Sequence, residues 1–122
     1  RGLHGEAMNK LVTVASGEAL GVYVDTRRDS RSRGRVECVR LEPGVQVFVP
    51  MGVCNGFQAT APGVTEYLYF FDREWQAGMQ GVSVTPLDPE LGVDWPVSID
   101  AGDSTQISGK DASAPLLAEV LR

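Results

Sequence analysis

The sequence predicts an all-β domain, a sandwich or barrel of short strands, for two reasons. Stretches rich in valine and leucine are each only a few residues long. Glycine, proline or polar clusters interrupt them about every eight to twelve residues, which is typical of such folds. A chain of 122 residues with 43% hydrophobic residues can form one core, so residues 1–122 are predicted to be a single domain.

The predicted strands follow one another closely along the first two thirds of the chain. Four segments before residue 50 are rich in β-branched and other apolar residues, which favour strands. Turn signals such as the Glu-Pro-Gly at 42–44 and the Pro-Met-Gly at 50–52 separate them. Strands are therefore predicted at residues 10–14, 19–25, 36–41, 45–49, 56–61, 64–71 and 81–84.

The remainder of the chain is predicted to be an irregular tail that wraps over the body of the domain. Prolines at positions 86, 89, 96 and 115 interrupt it, and apolar residues show little alternation. Only residues 115–121 place leucine and valine at helical spacing. A short C-terminal helix is predicted there, closing the fold.

Charge and composition argue against several classes of function. Nonspecific nucleic-acid binding requires a positive field, whereas the formal net charge is −5. The arginine-rich stretch 27–35 lies between two predicted strands and is interpreted as a solvated hairpin loop. No apolar run approaches the ~20 residues that span a bilayer, and no secretory signal is visible. With only Cys38 and Cys54, we expect a cytoplasmic protein with free thiols, Cys38 lying in the core.

Metal and cofactor sites are not predicted. One histidine and no CxxC pair are too few good ligands for zinc. Neither GxxxxGK[ST] nor GxGxxG occurs, so nucleotide-dependent kinase and dehydrogenase chemistry lack support. The sole histidine, His4, is then the obvious candidate for proton transfer near neutral pH, because imidazole accepts and returns a proton there.

Seven segments in order resemble the dTDP-4-dehydrorhamnose 3,5-epimerase family. They are RGLH at 1–4, KLV at 10–12, VDTRRDS at 24–30, NGFQA at 55–59, EYLY at 66–69, DPELGVDWP at 88–96 and SGKDASAPLL at 108–117. The resemblance implies a cupin-like jelly roll and a homodimer. It also implies epimerisation of a dTDP-linked 4-keto-6-deoxyhexose without metal or organic cofactor. The family has a longer N-terminal region, which is expected to supply a strand to the partner and part of the nucleotide site and is absent from this chain.

The resemblance also implies roles for individual residues. His4 corresponds to the base, Asp111 to the carboxylate that orients the imidazole, and Tyr69 to the acid on the opposite face of the sugar. Lys10 corresponds to the positive charge beside the enolate oxygen. Substrate binding is assigned to Arg1, at the diphosphate, and to Trp75, which lies where relatives carry aromatic residues that stack on thymine.

The main departure from the family is Asn55, which stands where relatives read HGF and have a histidine. A neutral amide still donates a hydrogen bond to a phosphate or sugar oxygen but carries no charge. This divergence suggests pathways to antibiotic deoxysugars, in which related enzymes invert only one of the two carbons. The leading hypothesis is an epimerase that inverts C3, C5 or both, in the biosynthesis of rhamnose or an antibiotic deoxysugar. Two alternatives stay open: a catalytically silent cupin that binds a sugar nucleotide, and a related 3,4-ketoisomerase. Retention of the acid and base together favours an enzyme.

Overall fold

The computed structural model describes residues 1–122 and contains eight strands and two short helices. The strands are β1 (Leu3–Glu6), β2 (Lys10–Ser16), β3 (Ala19–Asp25), β4 (Val36–Leu41), β5 (Gln46–Val49), β6 (Val53–Ala59), β7 (Glu66–Phe71) and β8 (Gly81–Val84). A 3-10 turn (Pro89–Leu91) and the helices α1 (Gly109–Ala112) and α2 (Leu117–Val120) follow. The predicted all-β, jelly-roll class with a short C-terminal helical segment is confirmed.

Two antiparallel sheets make up the body of the domain. The larger has the strand order β4-β3-β6-β1-β8, and the smaller has the order β5-β2-β7. Non-consecutive strands are neighbours in both, so the chain crosses repeatedly between the sheets. Each strand of the smaller sheet directs alternate side chains toward the larger sheet, and a small inner core forms where Val12, Tyr23 and Val49 pack together.

The largest hydrophobic cluster lies on the other face of the five-stranded sheet. There, apolar residues from β1, β3, β6 and β8 pack against Leu91 of the 3-10 turn and Leu117 of α2. Trp95 also packs against this cluster, and its indole nitrogen donates to Pro86 O at 3.1 Å. The tail therefore covers the outer face of the larger sheet, as predicted for the segment after Pro86.

The smaller sheet has no such cover on its outer face. Phe48, Phe70 and Leu68 lie on this face with exposed fractions of 64%, 57% and 41%. Leu11 pairs with both Phe48 and Phe70, so these side chains form a row across the three strands. The outer face of the larger sheet is thus covered by the C-terminal tail, whereas the outer face of the smaller sheet is exposed.

Several details differ from the sequence-based prediction. Strand β1 was not predicted, and β6 begins three residues before the predicted start at 56. Helix α1 was also unpredicted; Ser108 caps it by accepting from the Asp111 amide at 3.1 Å. Cys38 was expected in the core, but this prediction is wrong: it lies on the edge strand β4 and is exposed, while Cys54 is buried. Neither helix is long or apolar enough to cross a membrane.

Candidate active site

An open cavity between the two sheets contains every predicted site residue except Trp75. Its volume of about 380 Å³ lies within the usual range for small-molecule sites. Strands β1 and β6 of the larger sheet form one wall, and β2 and β7 of the smaller sheet form the other. The lining residues are Arg1, Gly2, His4, Glu6, Lys10, Asn55, Gly56, Phe57, Tyr69, Phe71 and Asp111.

His4 and Asp111 form a hydrogen-bonded pair at one end of this cavity. Imidazole Nε2 lies 2.7 Å from Asp111 Oδ1, although the two residues are 107 positions apart in the chain. The Gly2 amide donates to the other carboxylate oxygen, Oδ2, at 3.2 Å. Because the carboxylate accepts from Nε2–H, the lone pair of the neutral ring lies on Nδ1, which is then the proton acceptor.

Gly2 allows the carboxylate to approach this closely. A Cβ atom built on Gly2 would lie 2.3 Å from Asp111 Cγ, well inside the contact distance of two non-bonded carbon atoms. Burial would raise the pKa of Asp111, but the charge and hydrogen bond of His4 hold that pKa below its ordinary value. The carboxylate is therefore ionised at neutral pH and accepts the hydrogen bonds from His4 and the Gly2 amide.

Lys10 forms the centre of a second polar group. Its side chain is 8% exposed, and its ammonium donates to Glu6 Oε2 and, at 3.0 Å, to Asn55 Oδ1. Burial would raise the pKa of Glu6, but the hydrogen bond and charge of Lys10 lower it below its usual value. Glu6 was not identified from the sequence. Once residues 3–6 are recognised as a strand, its place two positions after His4 puts both side chains on one face.

Tyr69 reaches the cavity from the opposite sheet. It belongs to a row of aromatic rings on the inner side of β7, and its own ring stacks on Phe71 with centroids 5.4 Å apart. Tyr67 contacts the other side of Tyr69 edge-on, at 5.2 Å. Tyr69 is 51% exposed and lines the cavity. This places His4 and Tyr69 on opposite walls.

The two outlying predicted residues have different surroundings. Arg1 lines the cavity, and its backbone nitrogen donates to Phe57 O at 2.7 Å. It also lines a neighbouring cavity of about 290 Å³, which Trp95 helps to form. Trp75 lies in the connection between β7 and β8, is 61% exposed, and is absent from the lining of the main cavity. Its stacking on a thymine stays a prediction.

The arrangement suits proton transfer at carbon. A histidine backed by a carboxylate lies on one wall, a phenol lies on the other, and a buried ammonium lies between their two sheets. Base, acid and a stabiliser of negative charge are the groups required to remove a proton beside a carbonyl and return it from the other side. No group of three or more His, Cys, Asp or Glu side chains is arranged to hold a metal ion.

Comparison with known proteins shows which family the chain is similar to. A family model described as dTDP-4-dehydrorhamnose 3,5-epimerase matches residues 1–119. The dTDP-4-dehydrorhamnose 3,5-epimerase of Salmonella typhimurium is 37% identical over 127 residues, covering 99% of this chain and 66% of the relative. The chain thus spans just under two thirds of that relative's length.

Solved structures show the same similarity. A dTDP-6-deoxy-D-glucose-3,5-epimerase from Legionella pneumophila, in complex with dTDP-4-keto-L-rhamnose, has a TM-score of 0.80 and 33% identity over 99% of this chain and 66% of its own. A 3'-monoepimerase from Streptomyces bikiniensis, in complex with dTDP-quinovose, has a TM-score of 0.77 and 30% identity. That match covers 97% of this chain and 60% of the monoepimerase.

Proposed function

The chain belongs to the dTDP-4-dehydrorhamnose 3,5-epimerase family, and we propose that it inverts C3, C5 or both in a dTDP-linked 4-keto-6-deoxyhexose. The observation that carries this proposal is the pairing of His4 with Asp111 on one wall of a cavity that has Tyr69 on the other. Family relatives named as epimerases of such sugars support the substrate class.

The C4 ketone explains why a histidine suffices as the base. Protons on the two neighbouring carbons are acidic, because the carbanion left behind delocalises onto the ketone oxygen as an enolate. His4 Nδ1 takes the proton, and Asp111 stabilises the imidazolium that results. Lys10 places its positive charge near the enolate oxygen. Tyr69 then donates its phenolic proton to the carbon from the opposite face, and the configuration is inverted.

The nucleotide portion of the substrate is assigned to the edge of the cavity. Arg1 lies there, and its planar guanidinium is suited to two parallel hydrogen bonds with a diphosphate. Asn55 contributes an amide within the cavity, and Trp75 is proposed to stack on thymine. No metal or organic cofactor is assigned to the reaction, since base, acid and enolate stabiliser are all side chains.

A deuterium-exchange experiment tests this function. The protein is incubated with dTDP-4-keto-6-deoxyglucose in deuterium oxide, and the labelled carbons are located by NMR. We expect label at C3, C5 or both, with one labelled carbon identifying an enzyme restricted to a single centre. Absence of label above a no-enzyme background would contradict the proposal and favour a silent cupin that only binds the sugar nucleotide.

The same experiment addresses the third candidate, a 3,4-ketoisomerase. Such an enzyme moves the carbonyl from C4 to C3, so the product has a ketone at C3 in its carbon spectrum. An epimerase leaves the ketone at C4 and changes only the configuration of its neighbours. We expect the ketone at C4, because the acid and base lie on opposite walls as inversion requires.

We propose further that the protein is a homodimer. The uncovered apolar row on the smaller sheet supports this, since monomers rarely expose contiguous patches of large hydrophobic side chains. Sedimentation velocity should show a dimer that dissociates more readily in Phe70→Gln than in Val64→Gln, which removes an exposed apolar residue from a loop. A cytoplasmic location is also proposed, supported by the two free cysteines, which suit a reducing compartment.

A further inference from the structure

The Lys10 ammonium has a limited number of hydrogen bonds to give. An ammonium carries three N–H donors and no acceptor. One donor is committed to the Glu6 carboxylate, and a second is committed to Asn55 Oδ1 at 3.0 Å. The side chain is only 8% exposed, and it lines the cavity. One donor is therefore left for whatever occupies that cavity.

The backbone fixes both partners of the ammonium. Glu6 ends β1 and Lys10 begins β2, and the turn between them is closed by a hydrogen bond from Met8 N to Glu6 O at 2.8 Å. Asn9, within the same turn, is held by Asp72, which accepts from its amide at 2.9 Å and its side chain at 2.8 Å. Asn55 lies on β6 directly opposite His4, so the catalytic strand positions it too.

Both groups bonded to the Lys10 ammonium are hydrogen-bond acceptors, the Glu6 carboxylate and the Asn55 side-chain oxygen. Glu6 is ionised, because the neighbouring ammonium holds its pKa below the usual range. A protonated lysine that faces a carboxylate and an amide oxygen is a hydrogen-bond donor and cannot take a proton from carbon. Lys10 thus differs from His4, whose Nδ1 is free to accept one.

We propose that Glu6 and Asn55 are positioning residues for Lys10. By accepting two of the three ammonium N–H groups, they leave the third to donate to an oxyanion in the cavity, the enolate oxygen of the substrate. The identity of that oxyanion rests on the proposed function, whereas the holding of Lys10 rests on geometry alone. The amide at position 55 is then an acceptor for the ammonium, a role that a protonated imidazole has no lone pair to fill.

Amine labelling tests the holding of Lys10 without any substrate. The chain has two lysines, and Lys110 is exposed, so it serves as an internal reference in every sample. The protein is treated with limiting acetic anhydride at pH 8, and both peptides are quantified by mass spectrometry. We expect Lys10 to label at least about tenfold more slowly than Lys110, because its amine is buried and hydrogen-bonded to two acceptors, whereas Lys110 is exposed.

Three variants then identify the cause of this protection. Glu6→Gln keeps the volume of the side chain and removes its charge. An increase in the ratio of Lys10 labelling to Lys110 labelling in this variant therefore does not come from easier entry of the reagent. Glu6→Ala and Asn55→Ala should also increase the ratio, the former more. Glu90→Gln, which neutralises an exposed carboxylate elsewhere, should leave it unchanged. An unchanged ratio in all three site variants would overturn the proposal.

Exchange kinetics test the use of the third donor. Lys10→Met should reduce kcat for deuterium exchange about 10²–10³-fold, as loss of an oxyanion donor does. Glu6→Ala should reduce kcat about tenfold to a hundredfold and leave KM within about threefold. The displaced Lys10 ammonium would stabilise the charge of the transition state less well, whereas binding of the substrate itself would change little. The double variant Glu6→Ala/Lys10→Met should be no slower than Lys10→Met alone, since Glu6 acts through Lys10.

The two measurements separate the possible failures. Additive losses in the double variant would show that Glu6 acts independently of Lys10 and would overturn the positioning role. If the unmodified protein exchanges no deuterium, the proposed function fails, and the labelling ratio decides whether Glu6 and Asn55 hold the ammonium.

Discussion

The two walls of the cavity differ in how firmly the rest of the molecule supports them. The five-stranded sheet contributes His4, Glu6 and Asn55, and its outer face packs against the C-terminal tail in the largest hydrophobic cluster. The three-stranded sheet contributes Lys10 and Tyr69, and its outer face is uncovered. The proposed base, His4, and the proposed acid, Tyr69, thus lie on sheets that differ in how well their outer faces are packed.

This difference indicates that the two halves of the proposed reaction depend on different kinds of contact. The His4 ring is held by a hydrogen bond to the Asp111 carboxylate. That carboxylate accepts a hydrogen bond from the Gly2 amide and packs closely against Gly2. The Tyr69 side chain is held by aromatic contacts, edge-on with Tyr67 and stacked on Phe71. We therefore expect changes on the larger sheet to affect proton removal, and changes on the smaller sheet to affect proton return.

The largest effect is expected from His4→Ala. Removal of the proposed base should reduce deuterium exchange at C3 and C5 by about 10³–10⁴-fold, since the other carboxylate on that wall, Glu6, is bonded to Lys10. The fold should survive, because the side chain is partly exposed and β1 keeps its backbone pairing with β6 and β8. Exchange by NMR and the thermal midpoint by circular dichroism are the two readouts. Full exchange in this variant would refute the assignment of the base.

Gly2→Ala should also reduce proton removal by the larger sheet, but less than His4→Ala does. The added methyl group would overlap the Asp111 carboxyl, so the carboxylate must move away from His4. We expect exchange to fall about tenfold to a hundredfold, the usual cost of a misplaced catalytic group. Gly109→Ala is the matched control, because a Cβ atom there meets no other atom within 4 Å.

A spectroscopic readout accompanies that comparison. The protein has a single histidine, so its imidazole nitrogen resonances are assigned without ambiguity. They should shift in Gly2→Ala and stay in place in Gly109→Ala. Equal activity and equal spectra in the two variants would show that Asp111 tolerates displacement.

On the smaller sheet, Tyr69→Phe should separate exchange from inversion. The phenylalanine ring keeps the stacking on Phe71 but has no proton to return, so we expect label to enter at a rate within about fivefold of the original. Inverted product should fall at least about tenfold, as measured by proton NMR of the sugar. Tyr67→Phe, which removes a buried hydroxyl without a partner, is the control. Parallel losses of exchange and inversion in Tyr69→Phe would mean that Tyr69 is not the acid.

The smallest effects are expected at two loop carboxylates, one beside each sheet. Asp25 ends β3 of the larger sheet, is buried, and accepts from Arg27, Ser30 and Ser32. Asp72 follows β7 of the smaller sheet, is exposed, and accepts only from Asn9. Asp25→Asn should reduce the free energy of unfolding by about 1–3 kcal/mol near pH 7, and Asp72→Asn should reduce it less.

The pH dependence of this loss has a definite sign. The Arg27 guanidinium, opposed by burial and aided by the serine hydroxyls, holds the pKa of Asp25 well below its ordinary value. A lowered carboxyl pKa stabilises the fold above the unfolded-state pKa, about 3.9, and this contribution is lost as pH falls. Urea melts between pH 7 and pH 3 should show the difference between the original protein and Asp25→Asn shrinking below about pH 4. A difference that stays constant over this range would mean that the charge of Asp25 is not what stabilises the loop.

The strands that were predicted with correct bounds are those in which apolar residues follow from packing, without the demands of a polar cavity. Strands β3, β4 and β8 have the bounds that their valine-rich segments predicted. Strand β1 was missed because its inward positions are His4 and Glu6, and a polar cavity on that side removes the apolar alternation by which a strand is recognised. The strand that carries the proposed base was therefore the one that the sequence pattern did not reveal.

The candidate site was predictable only as far as the family pattern extends. His4, Lys10, Tyr69 and Asp111 were identified from that pattern, and the structure brings them to one cavity. Glu6 was not found, because its importance comes from its contact with Lys10 and depends on the geometry of the turn between β1 and β2. Trp75 lies in an irregular connection, where spacing along the chain does not determine position in space.

The hydrogen bond between His4 and Asp111 has a consequence for the order of folding. It joins residues 107 positions apart, so it closes a loop of nearly the entire chain, and such contacts are among the slowest to form. Sheet formation alone does not assemble the dyad; α1 must also dock against β1. During refolding, recovery of catalysis therefore requires the docking of α1 as well as the pairing of the strands.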